Sequence, residues 1–336
     1  MSFATYGDLA STFHTRHQTA KLKQDMELLG MELSSGRKAN LATHVSGDFG
    51  PIAGIEHSLK LLAAQTQGIS EAQTMVRGAQ TVLGNIQDQT QTLTSGLISA
   101  ISSQNTGLIQ STAVTAREIF SSTVSNLNTS LGGRSLFSGA ATDGLALADA
   151  ETILADLMSL VSAETTAAGV SSQIDDWFMS PSGGFELFGY LGADEELGPF
   201  RLREGEEVSH PVKANDTEIR NLMSALAKSA VLAEGALSGD AASQRDLAKI
   251  SSNELLAASD NLTFVRARVG SIEARIETAS VRNTAEKSAL QLSYNQLTAA
   301  DPYETATALQ ALYGQMESLY TVTARLSNLN FTDYMR

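Results

Sequence analysis

The sequence predicts a mainly α protein: a long antiparallel helical coiled-coil rod formed by the N- and C-terminal segments, carrying a small α+β insertion domain. Three observations predict it. Apolar residues in both end segments alternate at spacings of three and four, the seam of a coiled coil rather than the broad face of a globular helix. Aromatic residues are only 6% of the 336, while Ala, Ser, Thr, Gln and Leu fill long tracts, a helix-bundle composition. The single Trp, the short aromatic runs and most turn signals gather in the middle, from Gly132 to about Pro211.

Residues 1–40 form the first division, an assembly helix closed by a loop. Leu22, Met26, Leu29 and Leu33 stand four, three and four apart, and Ser34-Ser35-Gly36 ends the helix. Residues 37–54, RKANLATHVSGDFGPIAG, read as loop from their polar, Gly and Pro content. Residues 41–139 supply the N-terminal half of the rod. There Ile55, Leu59, Leu62, Thr66, Ile69, Gln73 and Val76 keep the heptad, a three-residue slip leads to Ala79, and Leu83, Ile86, Thr90, Leu93 and Leu97 resume it.

Residues 140–237 are the insertion, expected to face outward. Helical patches at about 147–165 and 216–237 flank a predicted hairpin, Phe200 to Leu202 and Val208 to Val212, turning at Glu204-Gly205-Glu206-Glu207. Residues 238–300 return as the C-terminal half of the rod, with Leu255, Ala258, Leu262, Val265, Val269, Ile272, Ile276 and Ala279 alternating without a break. Residues 301–336 form the C-terminal assembly helix. Asp301 suits the cap, Pro302 the first helical position and Glu304 a capping-box contact, and Leu309, Leu312, Met316, Leu319, Thr323 and Leu326 follow at heptad spacing.

Charge and composition exclude several functions. A formal net charge of -14 repels phosphate backbones, and no basic stripe with interleaved aromatics offsets it, so nucleic acid is not an expected partner. With no Cys there is neither a disulfide framework nor thiol chemistry. The first residues lack an apolar stretch behind a basic one, and nowhere do eighteen apolar residues run together, so neither a signal peptide nor a membrane span is expected.

Nucleotide loops, zinc-protease and nucleophile-elbow motifs are absent from the sequence. His14 and His17 are three apart, and with His44 and His57 would suit a metal, but solvated polar residues are the expectation. Asp175-Asp176 beside Trp177 reads as helix-end charge rather than a paired-carboxylate sugar site. Gly132-Gly133-Arg134-Ser135 reads as a turn, and Asp194-Glu195-Glu196 and Glu204–Glu207 as solvated loop tips. Catalytic, cofactor and metal sites are therefore not expected. The seams themselves could be a bundle core, yet they run so near both ends that part of each is expected to meet another molecule. Leu22, Met26, Leu29, Leu33, Leu309, Leu312, Met316, Leu319, Leu326 and Leu329 are the expected assembly residues.

Several stretches resemble the bacterial flagellin superfamily. Leu33-Ser34-Ser35-Gly36-Arg37-Lys38 is similar to its L-S-S-G-x-R/K stretch, and Asp48-Phe49-Gly50-Pro51 to a loosened D-D-P-A-G turn. Arg266-Ala267-Arg268-Val269-Gly270 with Arg275 resembles the R-x-x-L-G helix of the family, and Asp301 stands where it has D-x-A. The likeness is nearer to the hook–filament junction branch than to filament flagellins. Gly132 to Gly139 resembles the G-x-x-L-F-S-G signature of that branch, and Leu326 to Tyr334 its S-L-x-x-F-x-D-Y-L tail.

The resemblance implies a structural protein, not an enzyme, whose terminal helices pair and pack with copies of itself while the insertion faces outward. It implies export through the flagellar type III apparatus, an extracellular location at the hook–filament junction, and contacts with a neighbouring hook-associated protein and flagellin. A chaperone would cover the C-terminal helix before export. Filament flagellin is the alternative within the family. An enzyme or ligand-binding module in the insertion is the alternative outside it.

Overall fold

The computed structural model describes residues 4–210 and 212–334, without the side chains of 4–9, 11, 12 and 326–334. It is 75% helical with only short strands, so the mainly α expectation holds. Contacts divide the chain into a terminal unit, residues up to Leu62 and from Thr284, and a middle unit, Ala63–Asn283.

The middle unit is built from helical hairpins. Helix α3 (Gly50–Ser103) contributes from Ala63 onward and turns sharply into α4 (Thr106–Leu127), with Gln104 at φ 53. Asn105 caps α4 by accepting from the Gly107 and Leu108 amides at 2.9 and 3.2 Å. Helix α7 (Thr217–Ala233) packs along α4 and leads into α8 (Ala241–Thr298), which runs antiparallel to α3. That direction shows in the partners: Gln73 donates to Glu277 at 2.9 Å, Arg77 forks onto Glu273 and Glu277 at 3.2 Å each, and Gln87 donates to Thr263 at 2.9 Å. Along α3, Val76, Ala79, Leu83, Ile86, Thr90, Leu93 and Leu97 are all buried, as their heptad spacing predicts.

Between α4 and α7 the chain forms a hairpin, β1 (Ser130–Leu131) with β2 (Arg134–Ser135). Gly132 and Gly133, at φ 60 and 79, take the two positive dihedrals that its tight turn demands, so the glycine pair serves a turn. Then come α5 (Ala150–Val161), α6 (Ala167–Met179) and a π-turn at Phe185–Gly189. The second hairpin joins β3 (Phe200–Arg203) to β4 (Glu206–Val208) around Gly205; its second strand starts two residues before the expected Val208–Val212, so Glu206 and Glu207, expected in the turn, pair with Arg203 and Arg201 instead. Its backbone is held to α8, since Arg275 donates to the Glu207 carbonyl at 3.3 Å. Helix α7 is buried on nearly every side and belongs to the core.

The reading of Asp175 needs correction. Asp175 is not a free helix-end charge: Lys228, fully buried on α7, donates to Asp175 at 2.7 Å and to Glu254 of α8 at 2.5 Å. Ser224 also donates to Asp175 at 2.7 Å, so three helices share one polar knot. A second buried titratable group is His210, whose ring lies 6.3 Å from Phe137 and whose nitrogens have no partner at hydrogen-bonding geometry among the described residues. Burial pushes its imidazole down to about 4, only partly offset by the nearby Leu136 backbone.

In the terminal unit, α1 (Ala4–Ser35) packs against α9 (Pro302–Tyr334). A single turn, α2 (Leu41–His44), lies in the connection to α3. Helix α3 starts at Gly50, four residues before the end of the predicted loop. Asp48 accepts from the Gly50 amide at 3.0 Å, and Pro51 sits in the first turn, where its missing N–H costs nothing.

Candidate assembly interface

The turn at the end of α1 fixes the pairing. Gly36, at φ 68, ends the helix by donating its amide to the Glu32 carbonyl at 2.8 Å, and Ser34 and Ser35 both donate their hydroxyls to the Met31 carbonyl. The chain then lies extended beside the α8–α9 connection. Lys38 donates to the Thr298 carbonyl at 2.9 Å, Ala300 to the Gly36 carbonyl at 3.0 Å, and Arg37 stands over the Tyr294 ring at 5.7 Å. The Leu33–Lys38 signature is thus a helix stop and a two-bond clasp.

Beyond the clasp, α1 and α9 run antiparallel. Asp301 caps α9, accepting from the Tyr303 and Glu304 amides at 2.8 and 3.1 Å, as its position predicts. Met26, Tyr313 and Met316 line one shallow groove of the pair, and Leu22, Leu312 and Leu319 line another. The structure therefore brings Met26 beside Met316, and Leu22 beside Leu312 and Leu319, in two separate grooves.

Their burial is incomplete. Of the predicted assembly side chains that are described, only Met316 is buried, at 7% exposure, while Leu22, Met26, Leu29, Leu309, Leu312 and Leu319 are half-buried. Leu33 is 42% exposed and off the seam, because the chain folds back at Gly36 over the other side of the helix. Glu32 takes the covered position, accepting from the Ala39 amide at 2.9 Å with Lys38 at 3.5 Å. The side chains of Leu326 and Leu329 lie outside the described residues.

Two tyrosines that heptad reading passes over, Tyr313 and Tyr320, stand exposed on the flank beside the seam. Their spacing of seven was the available signal. A two-helix pair covers one narrow seam of each partner, so an apolar stripe about 100° wide keeps an open margin.

His14, His17 and His57 are exposed and His44 lies in the α2 turn. Among the described residues no three His, Asp or Glu side chains converge to hold a metal ion, and no helix is long and apolar enough to cross a membrane. The family-like arginines act within the middle unit. Arg266 donates to Gln87 at 2.5 Å, and Arg268 pairs with Glu218 at 3.8 Å.

Comparison with known proteins agrees with this geometry. Residues 255–335 match the model of the bacterial flagellin C-terminal helical region. No curated protein sequence matches the chain. Among solved structures, Bacillus cereus FlgL is similar with a TM-score of 0.52 at 16% identity, covering 70% of this chain and 96% of its own. A protein described as a flagellar hook-associated protein from Vibrio parahaemolyticus is similar with a TM-score of 0.54 at 12% identity, covering 73% and 94%. At these identities the likeness establishes a shared fold.

Proposed function

Starting from a flagellin-like chain with a flagellin C-terminal helical region, we propose that the protein is a structural, non-catalytic element of the bacterial flagellum that joins hook to filament. The observation carrying this reading is the half-buried seam of the α1–α9 pair. Six seam residues remain open after the two helices have met, and covering the rest of each is worth on the order of 1 kcal/mol. Copies of this chain, a neighbouring hook-associated protein and flagellin are the partners that would complete the seam. Fold similarity to FlgL and to a protein described as flagellar hook-associated supports a place at the junction, outside the cell. Delivery would follow the type III route, with an export chaperone covering the exposed flank of α9 beforehand.

The test replaces Leu312 and Leu319 together by Asp in cells lacking the wild-type copy. The expected result is loss of filament and motility, with the heat unfolding of the middle unit unchanged. Normal motility in the double variant would overturn the reading. Purified wild-type protein should stay largely monomeric at high concentration; long filaments formed by the protein alone would move the assignment to a filament flagellin.

A further inference from the structure

The chain's charge is concentrated in one place. Residues 140–216 hold fifteen Asp and Glu against three Lys and Arg, a net of -12 out of the total of -14. Within the same stretch, five large apolar side chains stand exposed: Leu160 on α5, and Leu145, Leu187, Phe188 and Leu191, with Leu187 at 60% and Phe188 at 63%. Sequence alone does not gather the last four. The backbone does, because Leu147 pairs with Tyr190, the Leu191 amide donates to the Ala146 carbonyl at 2.9 Å, and the Ala148 amide to the Gly189 carbonyl at 2.9 Å. Leu145 and Leu191 are thereby carried to neighbouring positions on paired segments, and Leu187 and Phe188 ride on the π-turn that enters the pairing.

The π-turn is held from below. Phe185 is fully buried against Phe178, Tyr190 and the sole Trp, and Arg220 pairs with Glu186 at 3.1 Å. Its outward residues are therefore presented on a fixed base. Around them Asp143, Asp149, Asp194, Glu195 and Glu196 are all exposed. Ala140 donates its amide to the Glu195 carbonyl at 2.9 Å, and Ala193 to the Ser138 carbonyl at 2.9 Å, which draws the acidic 194–196 loop back to the segment leading into Leu145.

We propose that this corner docks a basic amphipathic helix of another protein, with Leu145, Leu187, Phe188 and Leu191 meeting its apolar face and the carboxylates its Lys and Arg residues. Charge selects the occupant. A second copy would bring the same carboxylates, Asp143, Asp149, Asp194, Glu195 and Glu196, to the contact, and the rest of the chain, at a net of -2, carries no excess of cations to answer them. An anionic membrane surface is repelled for the same reason. Apolar contact with opposite charge at the rim is the arrangement by which helices are recognised in grooves and on exposed faces.

The experiment uses the full-length protein and a labelled synthetic Leu–Lys peptide that forms an amphipathic helix, followed by fluorescence anisotropy over a range of salt. Saturable binding that weakens with salt is expected. Leu187→Ser with Phe188→Ser should weaken it tenfold or more, with Trp177 emission reporting that the packing beneath is intact. Leu191→Lys, which adds charge at a side chain already exposed, should weaken it several-fold without any burial being lost. Asp194→Asn with Glu195→Gln and Glu196→Gln should weaken it several-fold and flatten the salt dependence. Equal binding by the double serine variant, equal affinity for a Gly–Lys peptide of the same charge, capture on anionic vesicles, or pairing of two copies through this corner in sedimentation would each overturn the proposal.

Discussion

The same heptad rule is written into α3 and α9, and the two helices satisfy it to different degrees. In the middle unit Val76, Ala79, Leu83, Ile86 and Leu97 are completely buried, because α3 there is covered by more than one helix. In the terminal unit Leu309, Leu312 and Leu319 stop at half-burial, where among the described residues α1 is the helix that packs along α9. Equal spacing therefore does not mean equal energy. Depth of burial is set by how many neighbours a helix finds, and the shortfall at the seam is what assembly is proposed to make good.

The sharpest way to break that contrast is to delete the same side chain in both regions. Leu83→Ala should cost the folded chain about 2–5 kcal/mol, since it leaves a cavity in a close-packed core. Leu312→Ala should cost roughly 1 kcal/mol in the monomer, because water already reaches that leucine. Urea unfolding of the two variants measures the gap. Equal losses would mean that the α1–α9 seam is already complete and needs no other molecule.

Acid should separate the regions next. Unfolded, His210 titrates near 6.5; folded, it is held down at about 4. Between those values the unfolded chain takes up a proton that the folded one refuses, so stability falls as pH drops from about 6.5 to 4 and the loss saturates below that. Its full size is about 3 kcal/mol, carried by the middle unit alone. His210→Phe should flatten the melting temperature across this window, while leaving the α1–α9 pairing as it was.

Much of this contrast was legible in the sequence, and the exceptions share one cause. The seams of α3 and α9, the Gly132-Gly133 turn and the Asp301 cap follow from local spacing, which sequence displays directly. Lys228 does not. It sits in a helix buried on nearly every side, and its partners Asp175 and Glu254 lie 53 and 26 residues away, so only the packing of α6, α7 and α8 reveals the knot. Leu33 and Glu32 exchange roles for a similar reason: the Gly36 turn brings Ala39 back over one side of α1, a tertiary event that heptad counting omits. The corner of Leu145, Leu187, Phe188 and Leu191 likewise needs the pairing of residues far apart in the chain.

The knot at Lys228 gives a smaller test. Lys228→Ala strands two carboxylates, but both are more than a third exposed, so water screens much of what a sealed pair would lose. The expected cost is about 1–3 kcal/mol, cavity included. Lys228→Met keeps the volume and should fall within about 1 kcal/mol of wild type. A Met variant as damaged as the Ala variant would make the ion pairs, rather than the packing, the source of the knot's contribution.

The smallest expected effect compares identical chemistry in the two regions. Asn105 caps α4 and Asp301 caps α9, each accepting from two backbone amides. Replacing either by Ala should cost about 1 kcal/mol. The consequence should differ. Asn105→Ala weakens one end of a helix anchored along its length in a closed core, so the loss enters the cooperative unfolding of the middle unit as a lowered melting temperature. Asp301→Ala acts on a helix held along one half-buried seam, so its first turn should open on its own, seen as faster amide exchange at Tyr303 and Glu304 with the main melting transition unmoved. Added partner protein should then restore protection at those amides, because covering the seam supplies the second neighbour that α9 lacks.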